Sequence, residues 1–282
     1  MRVWPVLGAA LIALLPARHA AGQEMFVANI KLVDGATLRV NAPTYVYEES
    51  HTAPGYIIGP SVTELHGDMD HLPVATSYGT IFVPFHLIKA VTSARLAKDA
   101  DQPTVTVALT DGSSVAGMLG LGSGYDYQLY MSRPHLAGQG GFGNIDVDLK
   151  KIAELSFTAV APKSRTFKPF SQKPGGPYLV SADTATLKVD RFLGAARFDP
   201  RTNAFLPAKL DVAGVKFEPD FTVISRISTL VLSQGRANAE FVNTSGEKLY
   251  GPVATQSDGL LGQSRAGVVF LNLTRAVRIE RQ

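Results

Sequence analysis

Residues 30–38 read Ile-Lys-Leu-Val-Asp-Gly-Ala-Thr-Leu, and residues 107–115 read Val-Ala-Leu-Thr-Asp-Gly-Ser-Ser-Val. In both stretches, apolar and polar residues alternate on the two sides of an Asp-Gly pair. Alternation is typical of a half-buried β-strand, and Asp-Gly favours a tight hairpin turn because glycine accepts a positive φ. The two stretches therefore predict equivalent β-hairpins that turn at Asp34-Gly35 and Asp111-Gly112.

A second pattern follows each hairpin at equal offsets. Gly79 precedes apolar residues at positions 81, 83, 85, 88 and 91, and Gly143 precedes apolar residues at positions 145, 147, 149, 152 and 155. In a weaker third copy, Ser245-Gly246 replaces Asp-Gly, and Gly267 precedes apolar residues at 269, 271, 273, 276 and 279. Equal offsets with connections of unequal length indicate a fixed core and free loops. Residues 25–98 and 102–160 are therefore predicted to superpose, with a short helical turn near 149–153.

The order strand, Asp-Gly turn, strand, glycine, strand, short turn, strand resembles the small β-barrels of the Sm-like and Src-homology-like type. The resemblance covers about half of the chain. It implies tandem small β-barrel-like repeats and no particular activity, because such a fold carries many functions. Known members bind peptides, nucleic acids or other subunits.

The composition supports an all-β fold class. Of 282 residues, 45% are hydrophobic and 18% charged, with 26 glycines and 17 prolines, which favours turn-rich β structure over a helical bundle. The absence of cysteine excludes disulfides, thiolate zinc sites and iron–sulfur clusters. The predicted domains are a signal peptide (1–22), β repeat 1 (23–98), β repeat 2 (99–160), a Pro/Gly/Lys-rich linker (161–178) and a C-terminal β domain (179–282). The C-terminal β domain contains the degenerate third repeat.

The N-terminus indicates export. Arg2 is followed by an uncharged run at residues 3–15 and by small residues at 20–22. This pattern is typical of a secretory signal peptide cleaved near Gln23, and the run is too short for a membrane anchor. We therefore expect a periplasmic or secreted protein without a membrane span after cleavage.

Cleavage also weakens the argument for a nucleic-acid partner. It lowers the 27 basic residues to 25, against 24 acidic ones, and so leaves a net charge of +1. Phosphate binding needs clustered Lys and Arg, and the densest basic stretch lies within the predicted linker. We expect no nucleic-acid partner.

Five residues form a candidate metal site: His51, His66, Asp68, Asp70 and His71. Imidazole and carboxylate groups are ligands for zinc, copper or manganese, and alternate residues of an extended loop can converge on one ion. No helix-borne histidine pair fixes that geometry, however. A solvated loop between strands is the favoured interpretation, and no cofactor is predicted.

Five tyrosines form a candidate ligand surface. The pair Tyr45 and Tyr47 follows the first hairpin, and Tyr125, Tyr127 and Tyr130 follow the second. At period two, paired rings share one strand face. Exposed rings could stack on sugars, peptides or bases, whereas buried rings would close a barrel. Burial is the favoured interpretation.

These observations predict a non-enzymatic binding or scaffold protein of the cell envelope, with an envelope protein or polysaccharide as partner. The alternative is an envelope metal-binding protein or metal-dependent hydrolase that uses the histidine-rich segment. The sequence leaves the oligomeric state open.

Overall fold

The computed structural model describes residues 26–52, 61–69, 71–93, 104–120, 130–159, 174–183, 185–199, 204–232, 236–254, 258–275 and 277–282. These residues form β-strands joined by turns, together with two one-turn 3₁₀ helices. The all-β fold class is therefore confirmed.

The strands and 3₁₀ helices between residues 26 and 159 are β1 (Phe26–Leu32), β2 (Thr37–Thr52), β3 (Ser61–Met69), β4 (His71–Ala75), β5 (Thr80–Pro84), η1 (Phe85–Leu87), β6 (Ile88–Ser93), β7 (Thr104–Leu109), β8 (Ser114–Leu119), β9 (Tyr130–Gly140), β10 (Gly143–Asp148), η2 (Leu149–Lys151) and β11 (Ile152–Ala159). The short helical turn predicted near residues 149–153 is confirmed as η2.

The later strands are β12 (Tyr178–Ala182), β13 (Ala185–Val189), β14 (Arg191–Asp199), β15 (Ala204–Pro207), β16 (Leu210–Val212), β17 (Val215–Phe217), β18 (Ile224–Val231), β19 (Ala237–Asn243), β20 (Lys248–Pro252), β21 (Asp258–Ser264), β22 (Gly267–Asn272) and β23 (Arg278–Arg281).

The strands form one large sheet and two smaller ones, all antiparallel. The large sheet has the order β10-β9-β2-β1-β11-β6-β7-β8-β4-β5-β22-β21-β14-β15, with β3 paired to β2. The six-stranded sheet has the order β13-β12-β23-β18-β19-β20, and β16 pairs with β17. Among the described strands, no sheet closes into a barrel, so tandem barrels are not confirmed.

The three predicted hairpin turns are confirmed. The Asp-Gly turns join β1 to β2 and β7 to β8, and the Ser-Gly turn joins β19 to β20. The glycines adopt φ angles of 90° at Gly35, 87° at Gly112 and 85° at Gly246. This left-handed conformation is costly for residues that carry a Cβ, which explains the residue type.

The two repeats are interleaved in the sheet. The hairpin of β1 and β2 pairs with β9 and β11, whereas the hairpin of β7 and β8 pairs with β4 and β6. The two last strands, β6 and β11, pair with each other. Each hairpin therefore lies against the later strands of the other repeat.

The C-terminal part repeats this strand order. The run β13-β12-β23-β18-β19-β20 corresponds to β2-β1-β11-β6-β7-β8. A fourth hairpin, β12 to β13, also exists: residues 183–189 read Asp-Thr-Ala-Thr-Leu-Lys-Val, against Asp-Gly-Ala-Thr-Leu-Arg-Val at 34–40. The sequence analysis missed this copy because threonine replaces the turn glycine.

Candidate functional site

A groove lies on the outward face of four neighbouring strands, β2, β1, β11 and β6. Its volume is about 420 Å³, and it is lined by Asn29, Ile30, Lys31, Thr37, Leu38, Arg39, Ala90, Val91, Thr92, Glu154, Leu155 and Ser156. We refer to these twelve residues as the groove.

Strand alternation produces the polar lining. Along β1, Asn29 and Lys31 are exposed, whereas Ala28 and Ile30 are buried in the core. The register places Asn29 between Arg39 and Ser156, and Lys31 between Thr37 and Glu154. Because neighbouring antiparallel strands point their paired side chains to one side, hydrogen-bonding groups form two parallel rows across the groove.

The charges in the groove do not balance. Lys31 Nζ donates a hydrogen bond to Glu154 Oε1 at 2.8 Å, and both side chains are about half exposed, so solvent screens this ion pair. Arg39 is exposed and forms no salt bridge within the described ranges. Its guanidinium therefore presents five N–H donors to any ligand on this face.

The corresponding face of the six-stranded sheet has a different charge arrangement. Arg226 Nη2 donates to Glu240 Oε1 at 2.8 Å, and Lys248 Nζ lies 3.6 Å from Glu240 Oε2. The hydrogen bond from Arg226 holds the pKa of Glu240 below its usual value. Lys188 occupies the position that corresponds to Arg39, because it lies opposite Leu179 as Arg39 lies opposite Asn29.

The loop interpretation of the candidate metal residues is wrong for the described part of that segment. His66 and Asp68 lie within β3, and His71 begins β4, because the long strand β2 extends far enough to pair with β3. In that register His51 lies opposite Val62, four residues from His66. Strand geometry therefore separates these two histidines by roughly 13 Å along the strand.

The candidate metal site remains a prediction, because His71 is its one member whose side chain the structure describes. His71 is buried, with 7% of its surface exposed, and Asp70 lies outside the described residues. No group of three or more metal-ligating side chains occurs in the part of the chain that was described.

The candidate tyrosines fall into three groups. Tyr45 is 2% exposed, and burial raises the pKa of its phenol, so its ring offers no stacking face to a ligand. Tyr47 in β2 lies opposite His66 in β3, and Tyr130 in β9 lies opposite Ser50 in β2. Tyr125 and Tyr127 lie outside the described residues.

The sequence analysis missed the groove residues altogether. Their sequence signal is weak, because Asn29, Lys31 and Arg39 are simply the polar members of alternating strands. Only the pairing of β1 with β11 brings Glu154 and Ser156 beside them, across more than 120 residues of sequence.

Comparison with protein-family models, curated proteins and solved structures found no match to this chain. The predicted signal peptide, residues 1–22, lies outside the described residues. Within the ranges that the structure covers, no helix has the length and apolar character needed to cross a membrane.

Proposed function

We propose that this chain is an exported binding or scaffold protein of the cell envelope, periplasmic or secreted, and that the groove is its binding site. The single observation that carries this proposal is Arg39, a guanidinium without an ion-pair partner in the described residues, set among hydrogen-bonding side chains.

The proposal includes a repeated architecture of small-barrel type. Each unit would combine a hairpin from one segment with the later strands of another, as β1 and β2 combine with β9, β10 and β11. The same strand order in both parts of the chain supports this description. Such a unit presents a broad sheet face, which suits a polymer better than a small molecule that needs enclosure.

The chemistry of the groove favours an extended ligand with negative groups. Asn29, Thr37, Thr92 and Ser156 supply amide and hydroxyl groups that can hydrogen-bond to a hydroxyl-bearing chain. Arg39 can form two parallel hydrogen bonds to one carboxylate or phosphate. An acidic envelope polysaccharide fits both features.

Titration calorimetry with three probes tests the proposal: polygalacturonate, neutral dextran and poly-glutamate. We expect polygalacturonate to bind and the other two to bind more weakly, because dextran lacks the charge and poly-glutamate lacks the hydroxyl groups. The Arg39→Gln substitution should weaken polygalacturonate binding about tenfold, the usual effect of removing a hydrogen bond to a charged group.

Lys188→Gln is the matched control, because Lys188 occupies the corresponding position on the six-stranded sheet and lies outside the groove. It should leave the affinity unchanged. If the wild type and Arg39→Gln bind polygalacturonate with equal affinity, the groove is not the binding site. N-terminal sequencing of exported protein tests the compartment: the mature chain should begin near Gln23, and an intact Met1 would contradict export by signal cleavage.

A further inference from the structure

The two parts of the large sheet are joined by the pairing of β5 with β22. Thr80 lies opposite Phe270, Ile81 opposite Val269, and Phe82 opposite Val268. Ile81 and Val269 each stand two positions after a glycine, Gly79 and Gly267. We refer to this pairing as the β5–β22 joint. Its register is two-fold symmetric about the Ile81–Val269 pair, because each glycine stands at the same distance from that pair.

The two glycines allow the strands to approach closely. A Cβ on Gly79 would lie 2.3 Å from the carbonyl oxygen of Phe270, and a Cβ on Gly267 would lie 2.3 Å from that of Phe82. Both distances are far below contact distance. Gly79 and Gly267 are each the first residue after a two-residue turn. In the β5–β22 joint, this position must therefore lack a side chain.

Strand β10 has the same design, and among the described strands it pairs only with β9. As in the hairpins that lead into β5 and β22, the first residue after its two-residue turn is a glycine, Gly143. A Cβ on Gly143 would meet no atom within 4 Å. Of the strands that the structure describes, none lies on that side of Gly143.

The residue before that glycine shows the same contrast. Tyr78 precedes Gly79 and Ala266 precedes Gly267, and they are only 7% and 6% exposed. Phe142 precedes Gly143 and is fully exposed, at 103%. The residue before the glycine is thus buried in both strands of the β5–β22 joint and exposed before β10. An exposed phenylalanine at this position indicates a surface that a partner covers.

We propose that β10 pairs antiparallel with β10 of a second copy of this chain, with the register of the β5–β22 joint. Ile145, two positions after Gly143, would lie opposite Ile145 of the second copy. The result is a two-fold symmetric dimer in which one sheet runs through both copies.

The side chains at this register are complementary. Asn144 would lie opposite Asp146 of the second copy, and the symmetry would form that pair twice. Gln139 Nε2 donates to Asn144 Oδ1, which leaves the Asn144 amide N–H groups to donate to the carboxylate of the second copy. Asp146 also accepts from His135 Nδ1 at 2.9 Å, which fixes its position.

The backbone also fits. In a two-residue hairpin, the pair beside the turn is hydrogen-bonded and later pairs alternate. Gly143 and Ile145 therefore bond to β9, and the N–H and C=O groups of Asn144 and Asp146 point away from it. These groups form the hydrogen bonds of the added strand.

The edge strand β17 lacks this design. Val215 occupies the position of the glycine, directly after the two-residue turn that joins β16 to β17. Its side chain would meet the carbonyl oxygen of an added strand. Of these two edge strands, only β10 therefore has the glycine that the joint requires.

Sedimentation equilibrium of the complete exported chain tests the dimer, and the wild type should show twice the mass of one chain. Asn144→Asp places like charges opposite each other twice and should weaken the dimer about tenfold. Asn144→Lys should strengthen it by a similar factor. The double substitution Asn144→Asp with Asp146→Lys should restore association.

Lys216→Asp, on β17, is the matched control and should leave the dimer unchanged, and circular dichroism should be the same for every variant. If the wild type is a monomer at all concentrations, β10 does not pair with a second copy, and the proposal is overturned. A dimer that responds equally to Asn144→Asp and Asn144→Lys, or that responds to Lys216→Asp, would also overturn it.

Discussion

The Tyr178 hydroxyl lies 2.8 Å from the carbonyl oxygen of Phe221 and donates a hydrogen bond to it. The carbonyl oxygen of Ile224 is equally close, so the two acceptors share one proton. Tyr178 is fully buried in β12, and its ring packs edge-on against Phe192 and Phe221. This side chain therefore ties the fourth hairpin to the turn that precedes β18.

Tyr178→Phe should lower the free energy of unfolding by about 1–3 kcal/mol, because it leaves two buried carbonyl groups without their donor. Urea unfolding followed by circular dichroism measures the change. Tyr250→Phe is the matched control: Tyr250 is 58% exposed, and water can replace the hydrogen bond that its hydroxyl accepts from Asn238. Equal losses in the two variants would contradict the structural role of Tyr178.

Stability should also fall at high pH through the same residue. Burial raises the pKa of Tyr178 from 10.0 to about 12, so the folded state holds the proton more tightly than the unfolded state. The resulting stabilisation is complete below pH 10 and is lost as the pH rises towards 12, and it amounts to roughly 2 kcal/mol. Unfolding measured between pH 8 and 12 should show a shallower decline in Tyr178→Phe than in the wild type.

Gly267→Ala should destabilise the protein more than Gly143→Ala does. Both glycines adopt positive φ angles, 128° and 114°, so the backbone strain from alanine is similar. Only Gly267 faces a carbonyl oxygen within 2.3 Å, in the joint between β5 and β22. We expect a difference of about 2 kcal/mol in unfolding free energy at low protein concentration. Equal effects would show that the joint tolerates a side chain.

Gly112→Val should cost about 1–2 kcal/mol, because its φ of 87° is unfavourable for a β-branched residue. Gly141→Val is the control, since that turn glycine has no positive φ and no atom within 4 Å of its Cβ position. Thermal unfolding compares the two variants. A larger loss in Gly141→Val would contradict the role assigned to the hairpin glycine.

Arg197→Met should destabilise the protein at neutral pH by about 1–2 kcal/mol. Arg197 donates to both oxygens of Asp258, at 2.7 and 3.3 Å, and the Asp258 carboxylate is buried while Arg197 is half exposed. The substitution removes a charged partner from a buried carboxylate. Urea unfolding of both proteins at pH 7 measures the change, and equal free energies of unfolding would contradict the role assigned to this ion pair.

The sequence by itself determined the local structure of the repeats. Asp-Gly at 34–35 and 111–112, and Ser-Gly at 245–246, predict hairpins because the turn, its glycine and the flanking strands interact within about ten residues. The alternation around them predicts an all-β chain for the same reason. Where the turn lacked its glycine, at Asp183-Thr184, the hairpin escaped prediction although its strands formed.

Only the tertiary structure decided which strands meet. The hairpin of β1 and β2 could pair with the later strands of either repeat, because Ile152 and Ile88 follow equivalent patterns, and it pairs with the distant set. That choice places Glu154 beside Lys31 and so creates the groove. It depends on packing summed over the whole core, which no local pattern encodes.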